Sequence, residues 1–264
     1  HSWPRESCRA RRNGELQEAR FSNLASTILQ KPFILWKRMR VLAPLPLLLI
    51  PVVAALAAEP APEKGQDKSA AAKAGQAVFA KTCATCHGKN GEGDVKQKTP
   101  SIASMPKWYI ARQIHKFQTD VRGAHEKDLE GMRMRAIAHS LKDDQVVAVA
   151  TYVEGLAKTP TRHTLEGDVE KGRELYRENC MECHRYNATG ELVFGSPPLT
   201  GLQDWYIRDQ LLKFRAGLRG KHPEDEQGAK MHKRTNILSK EDLHDIACFI
   251  AELAEEFPDA RIKE

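Results

Sequence analysis

Two pentapeptides, Cys83-Ala84-Thr85-Cys86-His87 and Cys180-Met181-Glu182-Cys183-His184, stand 97 residues apart in a chain of 264. The interval persists beyond them without a gap. Trp108-Tyr109-Ile110 returns as Trp205-Tyr206-Ile207, Lys116-Phe117 as Lys213-Phe214, and Arg122-Gly123 as Arg219-Gly220. Gly131-x-x-Met134 returns as Gly228-x-x-Met231. A period this long is a whole small domain and not the turn of a solenoid, so the chain is an internal duplication. Whatever fold it adopts must be built twice, and whatever chemistry the pentapeptide performs must occur twice.

Cys-x-x-Cys-His is the spacing of covalent c-type haem attachment. Two thiols add across the vinyl groups of the haem, and the adjacent imidazole reaches the iron from the same side. Positions i, i+3 and i+4 share one face of a helical turn, so a single short segment delivers all three groups. A thioredoxin-like dithiol has no need of the trailing His, and a structural zinc site must draw four ligands together. The expected cofactors are two covalently bound haem c groups, held by Cys83, Cys86, Cys180 and Cys183 with His87 and His184 on the irons. Cys8 and Cys248 have no counterpart. Cys248 lies on the apolar face of the last helical segment, opposite Thr151, and reads as a buried inert thiol.

The ligand across the iron decides the chemistry, because a thioether fills the site and raises the potential whereas an open position permits catalysis. Among Met105, Met132, Met134, Met181 and Met231, only Met134 and Met231 keep the interval. Met132 falls opposite Ala229. His125 and His222 also match, but each follows Arg-Gly in a charged stretch that suits a solvated ring. The expected axial ligands are therefore His87 and Met134 in one copy, His184 and Met231 in the other, with bis-His as the rival.

Apolar residues at helical spacing predict helices over 70–81 and 168–179, 107–118 and 204–215, and 142–156 and 239–255. No stretch alternates with period two, so the fold class is all-α. Trp108, Tyr109, Trp205 and Tyr206 read as helix core near the haem edge, and Arg122 and Arg219 as propionate partners or solvated arginines. His115, His139, His163, His232 and His244 read as surface residues.

Charge argues against nucleic acid as a partner. The 41 Lys and Arg exceed the 35 Asp and Glu by six, and the whole excess lies in residues 1–57. Residues 39–57 have a basic start, an apolar run and Ala55-Leu56-Ala57, the parts of a secretory signal peptide. The expected organisation is an upstream translated segment without function (1–38), a signal peptide (39–57), a tether (58–69), domain one (70–157), a linker (158–166) and domain two (167–264). Export to the periplasm follows. Domain one is net basic and domain two net acidic, as if the two halves met partners of opposite charge.

Over about residues 70–256 the chain resembles class I cytochromes c, and more closely the two-haem cytochrome c4 family. The Cys-x-x-Cys-His pair, the Pro-x-Ile/Leu segments at Pro100 and Pro197, and the Trp-Tyr helices carry the resemblance. The Gly-x-x-Met segments, taken as loops, are similar to those of cytochrome c domains fused to haem–copper oxidases. The resemblance implies two tandem cytochrome c (class I) domains with His/Met-ligated haems. It implies that the Pro100 and Pro197 carbonyls receive Nδ1–H of His87 and His184. It also implies a non-enzymatic periplasmic carrier, taking electrons from a quinol-oxidising complex to a terminal oxidase or reductase and meeting the membrane peripherally through those complexes. Two alternatives are the electron-entry subunit of a dehydrogenase and a di-haem peroxidase, though a peroxidase needs an accessible iron position. Two departures bear on partner surfaces: Arg185-Tyr186 replaces Gly88-Lys89, and Asp204 replaces Lys107.

Overall fold

A computed structural model describes residues 68–160 and 163–258, so the expected upstream segment, signal peptide and nearly all of the tether lie outside the described residues. The described residues are helical and contain no strand. The first copy runs α1 (Lys68–Val78), a π-helical turn (Phe79–Cys83), α2 (Ala84–His87), α3 (Lys107–Gln118), α4 (Leu129–His139) and α5 (Asp143–Glu154). The second runs α6 (Val169–Asn179), α7 (Met181–His184), α8 (Asp204–Arg215), α9 (Glu226–Asn236) and α10 (Lys240–Glu256). The π turn has no counterpart before Cys180, where α6 runs regularly to Asn179.

In each copy the first helix crosses the last. The crossing is close because a glycine stands at its centre: a Cβ on Gly75 would lie 2.0 Å from the Ala148 carbonyl oxygen, and one on Gly172 would lie 2.1 Å from that of Asp245. An aromatic pair closes each crossing, Phe79 on Tyr152 at 5.2 Å and Tyr176 on Phe249 at 5.4 Å between centroids. Cys248 is fully buried in the second core, as its place on the apolar face predicts.

Helices α4 and α9 correct the sequence expectation, which left the Gly-x-x-Met segments as loops. Each is started by an aspartate: the Asp128 carboxylate accepts from Gly131 N–H, and the Asp225 carboxylate from Gly228 N–H. Side-chain caps of this kind stabilise a helix by about 1 kcal/mol. Periodicity could not reveal these helices, because their protein-facing sides carry little apolar surface; in α9 Met231 is almost the only apolar side chain of size.

Asp204 is a second correction. It does not distinguish a partner surface, for it is fully buried. Its carboxylate accepts from the backbone of Thr164 and Leu165 and from the Thr164 hydroxyl, which anchors the linker to the start of α8. Lys107, its counterpart, is exposed at the start of α3 and its N–H reaches Glu154.

The two copies meet through equivalent residues. Arg122 donates to Gln113 at 2.7 Å, and across the interface to Tyr206 and Gln210, both at 3.1 Å. Arg219 donates to Gln210 at 2.8 Å and across to Gln113 at 3.0 Å. Each guanidinium also lies over the ring of its own domain, Phe117 at 4.6 Å and Phe214 at 4.4 Å, an attraction of cation to π face. Exchange of like contacts about a two-fold is how a self-complementary surface pairs; here duplication supplies both halves in one chain. Neither arginine is the solvated loop residue that sequence allowed.

Candidate haem sites

Each copy encloses a cavity, of about 190 Å³ in the first and about 580 Å³ in the second. Cys83, Cys86, His87 and Met134 all line the first; Cys180, Cys183, His184 and Met231 all line the second. Met132 is largely exposed and lines neither cavity. Met105 is buried and does line the first, where its counterpart Leu202 shows it to be wall. His125 and His222 line neither cavity; their Nδ1 atoms accept the backbone N–H of Lys127 and Glu224 in local turns.

The imidazoles are set from behind. His87 Nδ1 lies 3.0 Å from the Pro100 carbonyl oxygen and His184 Nδ1 lies 3.2 Å from that of Pro197. A carbonyl accepts only, so Nδ1 carries the proton and Nε2 keeps its lone pair for the cavity. Burial favours this neutral ring in both, pushing His184 down to about 4 and lowering His87 as well.

Burial pushes Cys83 up to about 11 and Cys180 up to about 12, whereas reactive cysteines sit in electropositive surroundings that lower the value. No disulfide joins either pair, and no cluster of His, Cys, Asp or Glu among the described residues could hold a bare metal ion. What the cavities do fit is a flat, largely apolar group. The first is walled by Ile110, Ile114, Phe117, Val149 and Val153, the second by Ile207, Leu211, Phe214, Ile246 and Ile250. Ser101, whose buried Oγ finds no hydrogen-bond partner, lines the first, and Arg122 and Arg219 bring one cation to each. A tetrapyrrole with carboxylate arms suits such walls. Tyr109, Gln113, Leu202, Tyr206 and Gln210 line both cavities at once, so the two sites adjoin through the interface. Sequence reasoning did not find that role for Gln113 and Gln210; their 97-residue spacing was the available signal. Trp108, a candidate for the haem edge, does not line either cavity and instead packs under Arg112 at 4.7 Å.

Cysteines, imidazole and thioether thus converge twice, and comparison with known proteins agrees. The sequence profile of the family described as Cytochrome c matches residues 72–157 and again 169–254. A relative from Bradyrhizobium diazoefficiens, the Cbb3-type cytochrome c oxidase subunit FixP, is 34% identical over 132 residues, covering 48% of this chain and 43% of its own. The chain therefore spans less than half the length of that relative. The thiosulfate dehydrogenase electron acceptor of Thiomonas intermedia is 31% identical over 158 residues, covering 54% of this chain and 67% of its own. Among solved structures, reduced cytochrome c4 from Pseudomonas stutzeri superposes with a TM-score of 0.54 at 24% identity, over 68% of this chain and 97% of that one, a likeness of fold. The chain belongs to the cytochrome c family, with two covalently bound haem c groups, and in fold it is similar to cytochrome c4.

Proposed function

We propose that the protein is an exported carrier that takes electrons from a quinol-oxidising complex and delivers them to a terminal oxidase or reductase. In this reading Cys83, Cys86, Cys180 and Cys183 would hold the haems, and His87, Met134, His184 and Met231 would ligate the irons. The observation that carries it is the presence of a His and a Met at matched positions on both cavities. With a His and a Met each available to hold the iron, no position would be left for a substrate, which favours carriage over peroxidase chemistry. Bound haem supplies a one-electron iron couple, whose potential a thioether ligand raises. The signal peptide over 39–57 and a periplasmic location belong to the same proposal; among the described residues no helix is long and apolar enough to cross a membrane.

The spectrum tests the ligands. Oxidised protein should show the long-wavelength charge-transfer band of a Met–iron bond, and Met134→His or Met231→His should remove about half of it and lower one potential. An oxidised spectrum without that band sinks the assignment.

Charge around the cavities differs from the net charge of the domains that hold them. Domain two is net acidic, yet exposed Lys233 and Arg234 line its cavity beside the exposed apolar Phe194 and Ile237, with Lys230 there paired to Glu226 at 2.8 Å. Its acidic excess lies elsewhere, in part on exposed Glu170, Glu174, Glu178, Glu255 and Glu256 of α6 and α10. The first cavity is lined by Lys98 and Arg133, but Lys98 pairs with Glu130 at 3.8 Å and Arg133 donates to the Gln97 carbonyl. An acidic redox protein therefore finds its docking surface at the second cavity. Lys233→Glu with Arg234→Glu should slow the bimolecular rate with such a partner about tenfold at low salt, through encounter. Glu255→Lys with Glu256→Lys should leave it nearly unchanged. Stopped-flow kinetics across ionic strength decide the matter, and equal effects from both pairs would defeat this docking surface.

A second reading, an electron-accepting subunit of a dehydrogenase, is favoured by the likeness to the thiosulfate dehydrogenase electron acceptor. Co-purification of a dehydrogenase with the holoprotein separates it from a free carrier.

A further inference from the structure

Two lysines cross the interface, and each ends on the aspartate that starts the other domain's methionine-bearing helix. Lys116, on α3, donates to Asp225 Oδ1, the same oxygen that accepts Gly228 N–H at 2.9 Å. Lys213, on α8, donates to Asp128 Oδ1, the same oxygen that accepts Gly131 N–H at 3.1 Å. Both pairs are shielded from water: side-chain exposure is 13% for Lys116 and 2% for Asp225, 14% for Lys213 and 3% for Asp128. The aspartates also close their helices through the main chain, with Met132 N–H on the Asp128 carbonyl and Ala229 N–H on that of Asp225. Six residues further along lie Met134 and Met231.

A surface ion pair would count for little. Here one carboxylate oxygen joins a helix start to a cation of the opposite domain, where removal of one partner leaves a buried charge uncompensated. Removing the lysine therefore frees the first turn of the helix that presents the thioether. The geometry points to Lys116 and Lys213 as positioning residues acting crosswise: Lys116 of domain one steadies Met231 at the second haem, and Lys213 of domain two steadies Met134 at the first. The docked interface is then part of each ligand set, and neither domain alone holds its methionine as firmly as the pair does. The two braces differ in strength. Lys213 has a second carboxylate, Glu130 at 2.8 Å, where Lys116 has only the neutral Gln227 at 3.4 Å, so the Lys116 brace is the weaker.

This inference rests on Met134 and Met231 being the axial ligands, and the test separates the two. In full-length holoprotein carrying Met134→His, the remaining Met–iron band reports the second haem; in protein carrying Met231→His it reports the first. Imidazole, added to the oxidised protein, displaces the thioether at a rate set by how often the methionine lets go. Lys116→Gln should speed loss of the band about tenfold in the Met134→His protein, a change equivalent to about 1.4 kcal/mol, and leave it within about twofold in the Met231→His protein. Lys213→Gln should do the reverse. Lys116→Arg, which keeps the charge, should restore the slow rate. Asp225→Asn, which keeps a helix cap but loses the charge, should behave as Lys116→Gln does. Hydrogen exchange gives the same answer without a spectrum, since Lys116→Gln should speed the Gly228 and Ala229 amides about tenfold and spare those of Gly131 and Met132. A band that Met134→His neither halves nor shifts overturns the ligand reading and the brace with it. A band properly halved, with imidazole entry unchanged or accelerated in the lysine's own domain, overturns the brace alone.

Discussion

Protein carrying Cys180→Ser and Cys183→Ser is expected to hold one covalent haem per chain instead of two, and to lose the fold of its second half. A thioether needs a thiol, and neither serine can form one. The structural loss follows from the size of what is missing. Without the haem the apolar side chains that line the second cavity are left against water, at about 1.5–3 kcal/mol for each large one. An ordinary domain has only about 5–15 kcal/mol in total. The walls around Ile207, Leu211, Phe214, Ile246 and Ile250 must therefore collapse or flood. Haem content per chain, read from an alkaline pyridine spectrum, should halve. Hydrogen exchange should accelerate through 169–254 far more than through 72–157. Retention of two haems would exclude these cysteines as the attachment points.

Gly228→Ala should destabilise the protein by about 3–5 kcal/mol, although the same change in an open helix stabilises by about 1 kcal/mol. The sign reverses because a Cβ at 228 would stand 2.1 Å from Asp225 Oδ2. The carboxylate cannot turn aside freely, for its other oxygen holds Gly228 N–H and Lys116. Burial raises the Asp225 carboxyl, but the hydrogen bond and charge of Lys116 outweigh it and hold the group below its usual range. Displacing it breaks a buried pair, a loss of about 3–5 kcal/mol, and a cap worth about 1 kcal/mol, against which the alanine returns about 1 kcal/mol. Gly131→Ala should act alike, since its Cβ would meet Asp128 Oδ2 at 2.1 Å. Gly155→Ala is the control: nothing lies nearer than 3.5 Å, and the change should stay within about 1 kcal/mol. Denaturant midpoints of the holoproteins, compared at constant slope, measure all three. A neutral Gly228→Ala would mean that the cap and the pair contribute little.

Much of the site was legible because its chemistry is local. Cys, Cys and His within one helical turn announce a haem without reference to the rest of the chain, and duplication supplied a second copy that picked Met134 and Met231 out of five candidate methionines. Helices α3 and α8 could be bounded to the residue because each packs an apolar face on protein. Helices α4 and α9 could not, because the sides they turn to protein are small or polar, Gly131 and Ala138 in one and Gly228 and Thr235 in the other, so no apolar stripe marks them. Their Asp-x-x-Gly starts were in the sequence, yet an aspartate three residues before a glycine reads equally well as a turn.

The residues alone therefore determined the cofactor, its number, the helical class and the tandem plan, since these depend on spacing within a segment and on recurrence along the chain. They did not determine what Arg122, Arg219, Asp204, Lys116 and Lys213 do. Each of those is a polar residue whose partner lies roughly forty to more than a hundred positions away, and a charge in a sequence is the same letter whether solvated or buried against its complement. Only tertiary packing decided that, by removing water and leaving each charge facing its complement: across the two copies for Arg122, Arg219, Lys116 and Lys213, and against the linker for Asp204.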